Sequence, residues 1–403
     1  MSSNNQPHRI FGLTGKELII VGLGAILACA GISIATLIVS RLAPTVITAI
    51  NRPTDTPEAT RKPTIEVLIF TATPPPTATP RPTFTPTFTP TPTPAPGQSR
   101  GQPLSPSAIV QANDWQVQLL ESKRGEEAAQ LIRAVNQFNP PASDGKEYLL
   151  VKLRVKSLHS AGQAHPIQGG DFKLTGDRLT RYLPVGVVPP DPQLQAELLP
   201  GGGTEGWIVY EIGLGEDQLM MDFDPLSNDQ SHSLFIALKP GTALAVDPEL
   251  SRIVPTDLGQ TYERPAAPGK TLITDDWQVT VLAVVRGDKA YDMARAVNRF
   301  NDPPAEGMEY LAVRARVKNL NPADQFVMLD SGSFKTVGDK NTFYAAPAVV
   351  DPKPALSAYL YPGGEVEGWI ILQIGRGEGH AQIIFDPLFD WEHINRRFIA
   401  LPE

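Results

Sequence analysis

Acid–base or metal chemistry in this chain would have to be built from six histidines, His8, His159, His165, His232, His380 and His393. The chain aligns with itself at a shift of 162 residues, and no histidine falls opposite another, so there is no duplicated imidazole site. His159 and His165 stand six apart in an expected loop, neither a helix-face nor a hairpin spacing for a metal, and they read as solvated side chains. No G-x-S-x-G elbow and no H-E-x-x-H pair occurs, so a hydrolase triad or a zincin has no local support. The only cysteine, Cys29, lies in an apolar run, which removes intrachain disulfides, a Cys-ligated metal and a thiol nucleophile together. Residues 12–16 end like a phosphate loop, but Glu17 stands where Ser or Thr is required.

The carboxylates offer more. Asp177 and Asp339 follow glycine in a tight turn, Asp224 and Asp386 precede proline, and Glu205 and Glu367 precede Gly-Trp. Loop carboxylates can bind calcium, but such a site needs about six to eight oxygen ligands and no D-x-D-x-D run supplies them. Aspartates that bond their own backbone in turns account for these positions without a metal. Trp115, Trp207, Trp277 and Trp369 recur in matched pairs at strand starts, which favours core packing; an exposed platform for glycans is the functional rival. Trp391 has no counterpart in the first copy and is expected to be partly exposed. Arg154, Lys156, Arg316 and Lys318 form a basic stripe on one strand face, read as solvated, with a groove for an anionic polymer as the alternative. The reading is therefore non-enzymatic, with no catalytic residue, metal or cofactor.

The elements that carry these residues occur twice. "DWQVQLLESKRG" from Asp114 matches "DWQVTVLAVVRG" from Asp276, and "GKEYLLVKLRVKSL" from Gly145 matches "GMEYLAVRARVKNL" from Gly307. "PGGGTEGWIVYEIGLGE" matches "PGGEVEGWIILQIGRGE", and "FDPL" recurs at Phe223 and Phe385. With two copies of so long a period this is a tandem duplication rather than a solenoid.

In the first copy Leu149, Val151, Leu153 and Val155 alternate with Tyr148, Leu150, Lys152, Arg154 and Lys156, a period of two that buries one strand face and leaves a basic one in water. Strands are expected at 115–121, 147–157, 171–175, 178–183, 194–199, 206–212, 218–223 and 233–238, separated by turn signals, which predicts an antiparallel sandwich. Between the first two, Ala128, Leu131, Ile132 and Val135 fall on one helical face, as do Ala290, Met293, Ala294 and Val297. A short amphipathic helix is expected to cap one end of each sandwich. Asn139 and Asn301 stand where a helix often ends in a left-handed residue, and Pro141 and Pro303 forbid its continuation.

The order of these motifs resembles the bacterial family called domain of unknown function 4352, over roughly residues 108–240 and 270–403. The resemblance implies an immunoglobulin-like sandwich in an exported or membrane-anchored protein. It implies no catalytic residues.

Upstream the composition changes. Leu18 to Val39 is uncharged and apolar, long enough at about 1.5 Å per residue to cross a hydrocarbon core of about 30 Å. A lipoprotein signal ending at Cys29, or ordinary cleavage, are the rival readings. Threonine and proline then alternate from Thr73 to Pro96; proline removes donors and fixes φ, so polyproline II is the expected state. Residues 1–107 hold eight Lys/Arg against four Asp/Glu, leaving 27 against 39 in the rest, an acidic distal part that argues against nucleic acid.

The expected order is a cytoplasmic tail (1–17), a transmembrane helix (18–41), a disordered Thr/Pro stalk (42–107), two immunoglobulin-like domains (108–240 and 270–403) and a linker (241–269). The fold class is all-β, each domain carrying its inserted helix. The expected protein is single-pass in the cell membrane, its C-terminal domains extracytoplasmic. It would bind a protein or envelope glycan, or serve as a passive structural component.

Overall fold

The structure is a computed structural model that describes residues 94–160, 162–225 and 233–401. The expected span from Leu18 to Val39, Cys29 and the stalk up to residue 93 lie outside the described residues. Among the described residues no helix is long and apolar enough to cross a membrane.

Antiparallel sheet dominates, in two sets of strands related by the duplication. The first half contains β1 (Ile109–Ala112), β2 (Trp115–Arg124), helix α1 (Gly125–Val135), β3 (Lys146–Ser157) and β4 (His165–Gln168). It continues with β5 (Phe172–Thr175), β6 (Thr180–Arg181), β7 (Gln195–Leu198), β8 (Gly203–Gly213), β9 (Met220–Phe223) and β10 (Leu234–Ala237). The second half repeats the order with β11 (Thr271–Ile273), β12 (Trp277–Arg286), α2 (Asp288–Val297), β13 (Met308–Asn319) and β14 (Val327–Leu329). It ends with β15 (Phe334–Val337), β16 (Tyr344–Ala345), β17 (Ala358–Leu360), β18 (Glu365–Gly375), β19 (Gln382–Phe385) and β20 (Arg397–Ala400). All eight expected strands of the first copy are present; β1 and β4 are additional.

In the first half the sheet β1-β2-β3-β8 packs against the sheet β10-β9-β5. Inward residues such as Val117, Leu153, Phe172 and Phe223 form the core between them, and Val279, Ala315, Phe334 and Phe385 do so in the second half. Both long hairpins carry a bulge at the matching place, after Leu119 and after Val281. The extra residue shifts the inward–outward phase and sharpens the twist.

The helices do not cap the ends of the sandwiches as expected. Each lies on the outer face of the large sheet, where Ala128 and Ile132 of α1 meet Tyr148, Leu150, Trp207 and Val209. The reason is in β3: its outward residues are apolar at the start (Tyr148, Leu150) and basic only afterwards. The apolar end must be covered, and α1 covers it. Gly125 and Gly287, at φ of 62° and 72°, let the strand turn directly into the helix, a backbone conformation that favours glycine. Val135, expected to close the apolar face, is 43% exposed.

Asn139 is not a left-handed helix stop either. Its side chain is buried and clamps the helix end: Nδ2 donates to Ile132 O (3.0 Å) and Val188 O (2.9 Å), and Oδ1 accepts from Val188 N (3.0 Å). Asn301 repeats the clamp with Ala294 O (2.9 Å), Val350 O (2.8 Å) and Val350 N (2.8 Å).

Composition placed residues 94–107 in the stalk and 256–269 in the linker, yet both segments are built into the sheets. Leu104 runs parallel to β10, donating to Phe235 O (2.8 Å) and accepting from Ala237 N (2.9 Å), while Phe235 N donates to Gly97 O (2.8 Å). Ala266 does the same beside β20, with Phe398 O and Ala400 N, and Gly259 O accepts from Phe398 N. The duplicated unit thus begins about a dozen residues earlier than its strand motifs.

The two halves share a joint. β6 adds as a third strand to the β14–β17 ribbon, with Arg181 opposite Tyr359 and Thr180 opposite Leu360. Arg181 is buried, its Nε bonded to Asp222 (2.6 Å) and its guanidinium over the Phe326 ring (4.1 Å). Arg100 is fully buried over Tyr361 (4.2 Å) and bonded to Asp324 (2.8 Å), and the Tyr361 hydroxyl donates to Asp222 (3.3 Å). Buried pairs of this kind gain little net stability against an apolar alternative, but losing one partner is costly, so they fix a single arrangement of the joint.

Candidate functional site

Most of the polar residues singled out from sequence serve the fold. His159 and His165 are not solvated: their rings stack at 3.6 Å, and His159 meets the edge of Trp115 at 5.1 Å. His165 opens β4, which places it across the loop from His159. Asp177 accepts from Asp217 N (3.2 Å) and Asp339 from Gly379 N (2.8 Å), a turn role in both halves. Asp224 and Asp386 are buried in charge networks rather than aimed at solvent. Asp386 pairs with Lys335 (2.6 Å), Arg396 (3.2 Å) and His393 (2.8 Å). Burial pushes its carboxyl up, but these three partners outweigh it and hold it below the usual range.

Glu205 and Glu367 neutralise the basic stripe. Arg154 pairs with Glu205 (2.6 Å) and Arg316 with Glu367 (2.6 Å), and Arg314 also reaches Glu367. Lys156 faces Gly203 and Lys318 faces Glu365 in the register. The arginines of the stripe are thus compensated, whereas Lys156 has only a glycine opposite it. Among the described residues no three His, Cys, Asp or Glu side chains converge as a metal would need.

The matched tryptophans divide. Trp115 and Trp277 sit in the cores, Trp207 is buried beneath α1, and Trp369 is only half-buried beneath α2. Trp391 differs from all of them, at 84% exposed.

It belongs to the loop between β19 and β20, where Phe389 (77% exposed) and Ile394 (51%) also face solvent. The loop is held from within. Asp390 accepts from Ile394 N (3.2 Å) and Asn395 N (2.8 Å), closing the turn on itself. Asn395 is buried and ties the loop to the start of β12: its Oδ1 accepts from Thr274 Oγ1 (2.6 Å) and Asp276 N (3.0 Å), and its Nδ2 donates to Asp276 Oδ2 (3.0 Å). Phe389 and His393 adopt φ of 67° and 56°, left-handed values that cost a bulky residue about 1 kcal/mol or more and need such support. Phe389 and Trp391 stand 6.5 Å apart with planes at 70°, so two aromatic faces are presented at an angle.

Beside the loop is a groove of about 420 Å³, bordered by Trp277, Phe326, Val327 and Leu388 with Asp276 and Asn321 on its polar side. Asp276 accepts only from the amides of Asn321 and Asn395 there, so the groove carries a negative charge on its wall. Neutral hydrogen bonds, not a cation, hold that charge in place.

The corresponding stretch of the first half, "SNDQSHS" from Ser227, is polar throughout and one residue shorter between the paired strand ends. Trp391 was legible in the sequence as an unmatched residue. Phe389 and Ile394 could have been found by the same signal, apolar residues in one copy opposite polar ones in the other.

No family model matches the chain, and no curated protein matches it. Among solved structures it is similar to the ycdA protein of Bacillus subtilis, with 16% identity and a TM-score of 0.25, covering 33% of this chain and 39% of that one. The yjhA protein of Bacillus subtilis is similar over 34% of this chain and 98% of its own, with 13% identity and a TM-score of 0.24. An uncharacterized β-sandwich protein from Clostridium difficile 630 is similar over 34% of this chain and 95% of its own, with 12% identity and a TM-score of 0.22.

Proposed function

We propose that this chain is a membrane-anchored, extracytoplasmic protein that presents two tandem immunoglobulin-like domains for non-catalytic binding or adhesion to a protein or an envelope glycan. The observation that carries the reading is the β19–β20 loop. It places Phe389, Trp391 and Ile394 in solvent, on a turn held by half-buried Asp390 and buried Asn395, and the first copy has only polar residues at the matching places in the sequence. Exposed aromatics on a preorganised loop bury large area at small cost in side-chain entropy, which is how recognition loops gain affinity. The strand pattern and its resemblance to an exported family support the immunoglobulin-like assignment, and the apolar run from Leu18 to Val39 supports the anchor.

The test compares full-length protein with a Phe389→Ser, Trp391→Ser double variant, using purified sacculi and detergent-solubilised envelope proteins in separate binding assays. Both side chains are exposed, so the variant is expected to melt within about 2 °C of wild type. Binding to one of the two preparations is expected to fall at least about tenfold. Equal binding by wild type and variant, to both preparations, removes the loop from the function.

A passive structural role is the second reading, and the joint favours it: buried Arg100, Arg181 and Tyr361 hold the halves as one unit.

A further inference from the structure

The joint is a heterologous contact, in which one surface of the first half meets a different surface of the second. Because the halves are copies, each of those surfaces has a counterpart elsewhere on the chain. The counterpart of β17 is β7, which forms only the two-stranded β4–β7 ribbon, whereas β14–β17 has taken β6 as a third strand. The counterpart of β6 is Thr342–Phe343, exposed and outside any strand. Glycine is matched as well. At Gly364 a Cβ would lie 2.5 Å from the Leu179 carbonyl of the incoming strand, and Gly202 keeps the same passage open beside β7.

The side chains on the two counterpart surfaces differ from the joint in a coordinated way. In place of Arg181, Asp222 and Arg100 stand Phe343, Ile384 and Tyr262. In place of the residues that face them, Asp324, Phe326 and Tyr361, stand Gly162, Ala164 and Leu199. The charges of the joint are missing from both sides together; Ile384 is already covered by Phe398 and Tyr262, which leaves Phe343 and Leu199 as the exposed apolar side chains of the two surfaces. Phe343 is 48% exposed and Leu199 60% exposed, so neither has an apolar partner of its own sufficient to cover it. Glu197 takes the place of Tyr359, and Arg396, with its guanidinium 5.8 Å from the Phe343 ring, stands on the surface it would meet.

We propose that the partner of these surfaces is a second copy of this chain, bound head to tail. Thr342–Phe343 of one molecule adds to the β7 edge of the next, in the register that Thr180–Arg181 takes on β17. A heterologous contact need not close, and each added molecule offers the same two surfaces again, so the product is a series of oligomers. An open strand edge is a template for such pairing unless it is blocked. This proposal does not use the exposed side chains of Phe389, Trp391 and Ile394 or the ligand they would bind.

Full-length protein carrying Cys29→Ser, Glu197→Cys and Phe343→Cys places two thiols opposite one another across the contact, as Tyr359 and Arg181 are across the joint. Mild oxidation in membranes is expected to give dimers, trimers and higher species that reductant dissolves. Each single-cysteine variant should stop at dimers, having one thiol per chain. A double variant that gives no species above the dimer overturns the proposal. Adding Leu199→Asp puts a charge where the apolar contact should form, and the higher species are expected to fall on the order of tenfold with the melting temperature unchanged. Undiminished higher species in that variant would show the cross-links to be adventitious and would equally overturn it.

Discussion

Removing the asparagine clamp gives the sharpest test of how the outer helices are held. In Asn301→Ala the three backbone hydrogen bonds disappear together with a long one from Asn298 Nδ2 (3.4 Å), and the groups left behind differ in their access to water. Ala294 is fully buried, and its carbonyl keeps the backbone bond from Asn298 N (3.2 Å), whereas Val350 is 48% exposed and both its backbone groups can be hydrated. No backbone group is left without a partner or water, so each lost hydrogen bond costs about 0.5–1.5 kcal/mol. The three bonds to Ala294 and Val350 together give a loss of about 3 kcal/mol. With a urea m-value of about 2 kcal/mol/M, the midpoint should fall by about 1.5 M. Asn298→Ala is the internal control. Its Oδ1 accepts from Phe300 N (3.1 Å) in an exposed turn and its Nδ2 reaches Asn301 only at 3.4 Å, so it should shift the midpoint by less than about 0.5 M. Asn301→Asp should be worse than alanine at neutral pH, because a carboxylate would face two carbonyl oxygens, and should recover as it protonates. Equal midpoints for Asn301→Ala and Asn298→Ala would refute the clamp.

Two further outcomes follow from burial. Burial raises the Asp351 carboxyl to about 6, although Ile371 N–H bonds it (2.7 Å) and pulls the other way. The native state therefore keeps a proton that the unfolded chain, with a pKa near about 3.9, has released, and stability falls as pH rises from about 4 to about 6. Asp351→Asn retains the acceptor and should melt above wild type at pH 7.5, with the gain vanishing toward pH 4; a gain independent of pH would refute the cause. Trp207→Ala should cost about 3–5 kcal/mol and Trp369→Ala clearly less, since only the first is buried; chemical denaturation giving equal losses would contradict the packing described.

The strand plan was open to reading because the second halves of β3 and β13 alternate apolar with basic residues and because the pattern was written twice. The helices were legible from their period of 3.6, but not their place. That depends on which outward residues of β3 are apolar, and Tyr148 and Leu150 were absorbed into a pattern read as one buried and one wet face. Residues 94–107 escaped for a different reason. Their proline, glycine and serine content matches a stalk, while the feature that orders them, backbone pairing of Leu104 with β10, carries no side-chain signature. The joint could not be foreseen at all, since Arg100 and Arg181 look like surface residues until Tyr361 and Phe326 arrive from far along the chain. At the loop, the exposure of Trp391 was expected from its lack of a counterpart, whereas its neighbours needed Asp390 and Asn395 in place before their exposure made sense.

The segment beside β10 also decides how the first half responds to force. Leu104 runs in the same direction as β10, so a pull between Pro94 and residue 240 draws the two strands along their axes in opposite senses. The bonds from Leu104 N, Ala237 N and Phe235 N are then strained together, in shear, and must fail at once rather than peel one by one. A protein tethered at its N-terminus and gripped by its distal half would carry tension through this pairing first. The second half repeats the geometry with Ala266 beside β20, so each copy meets the load with the same latch.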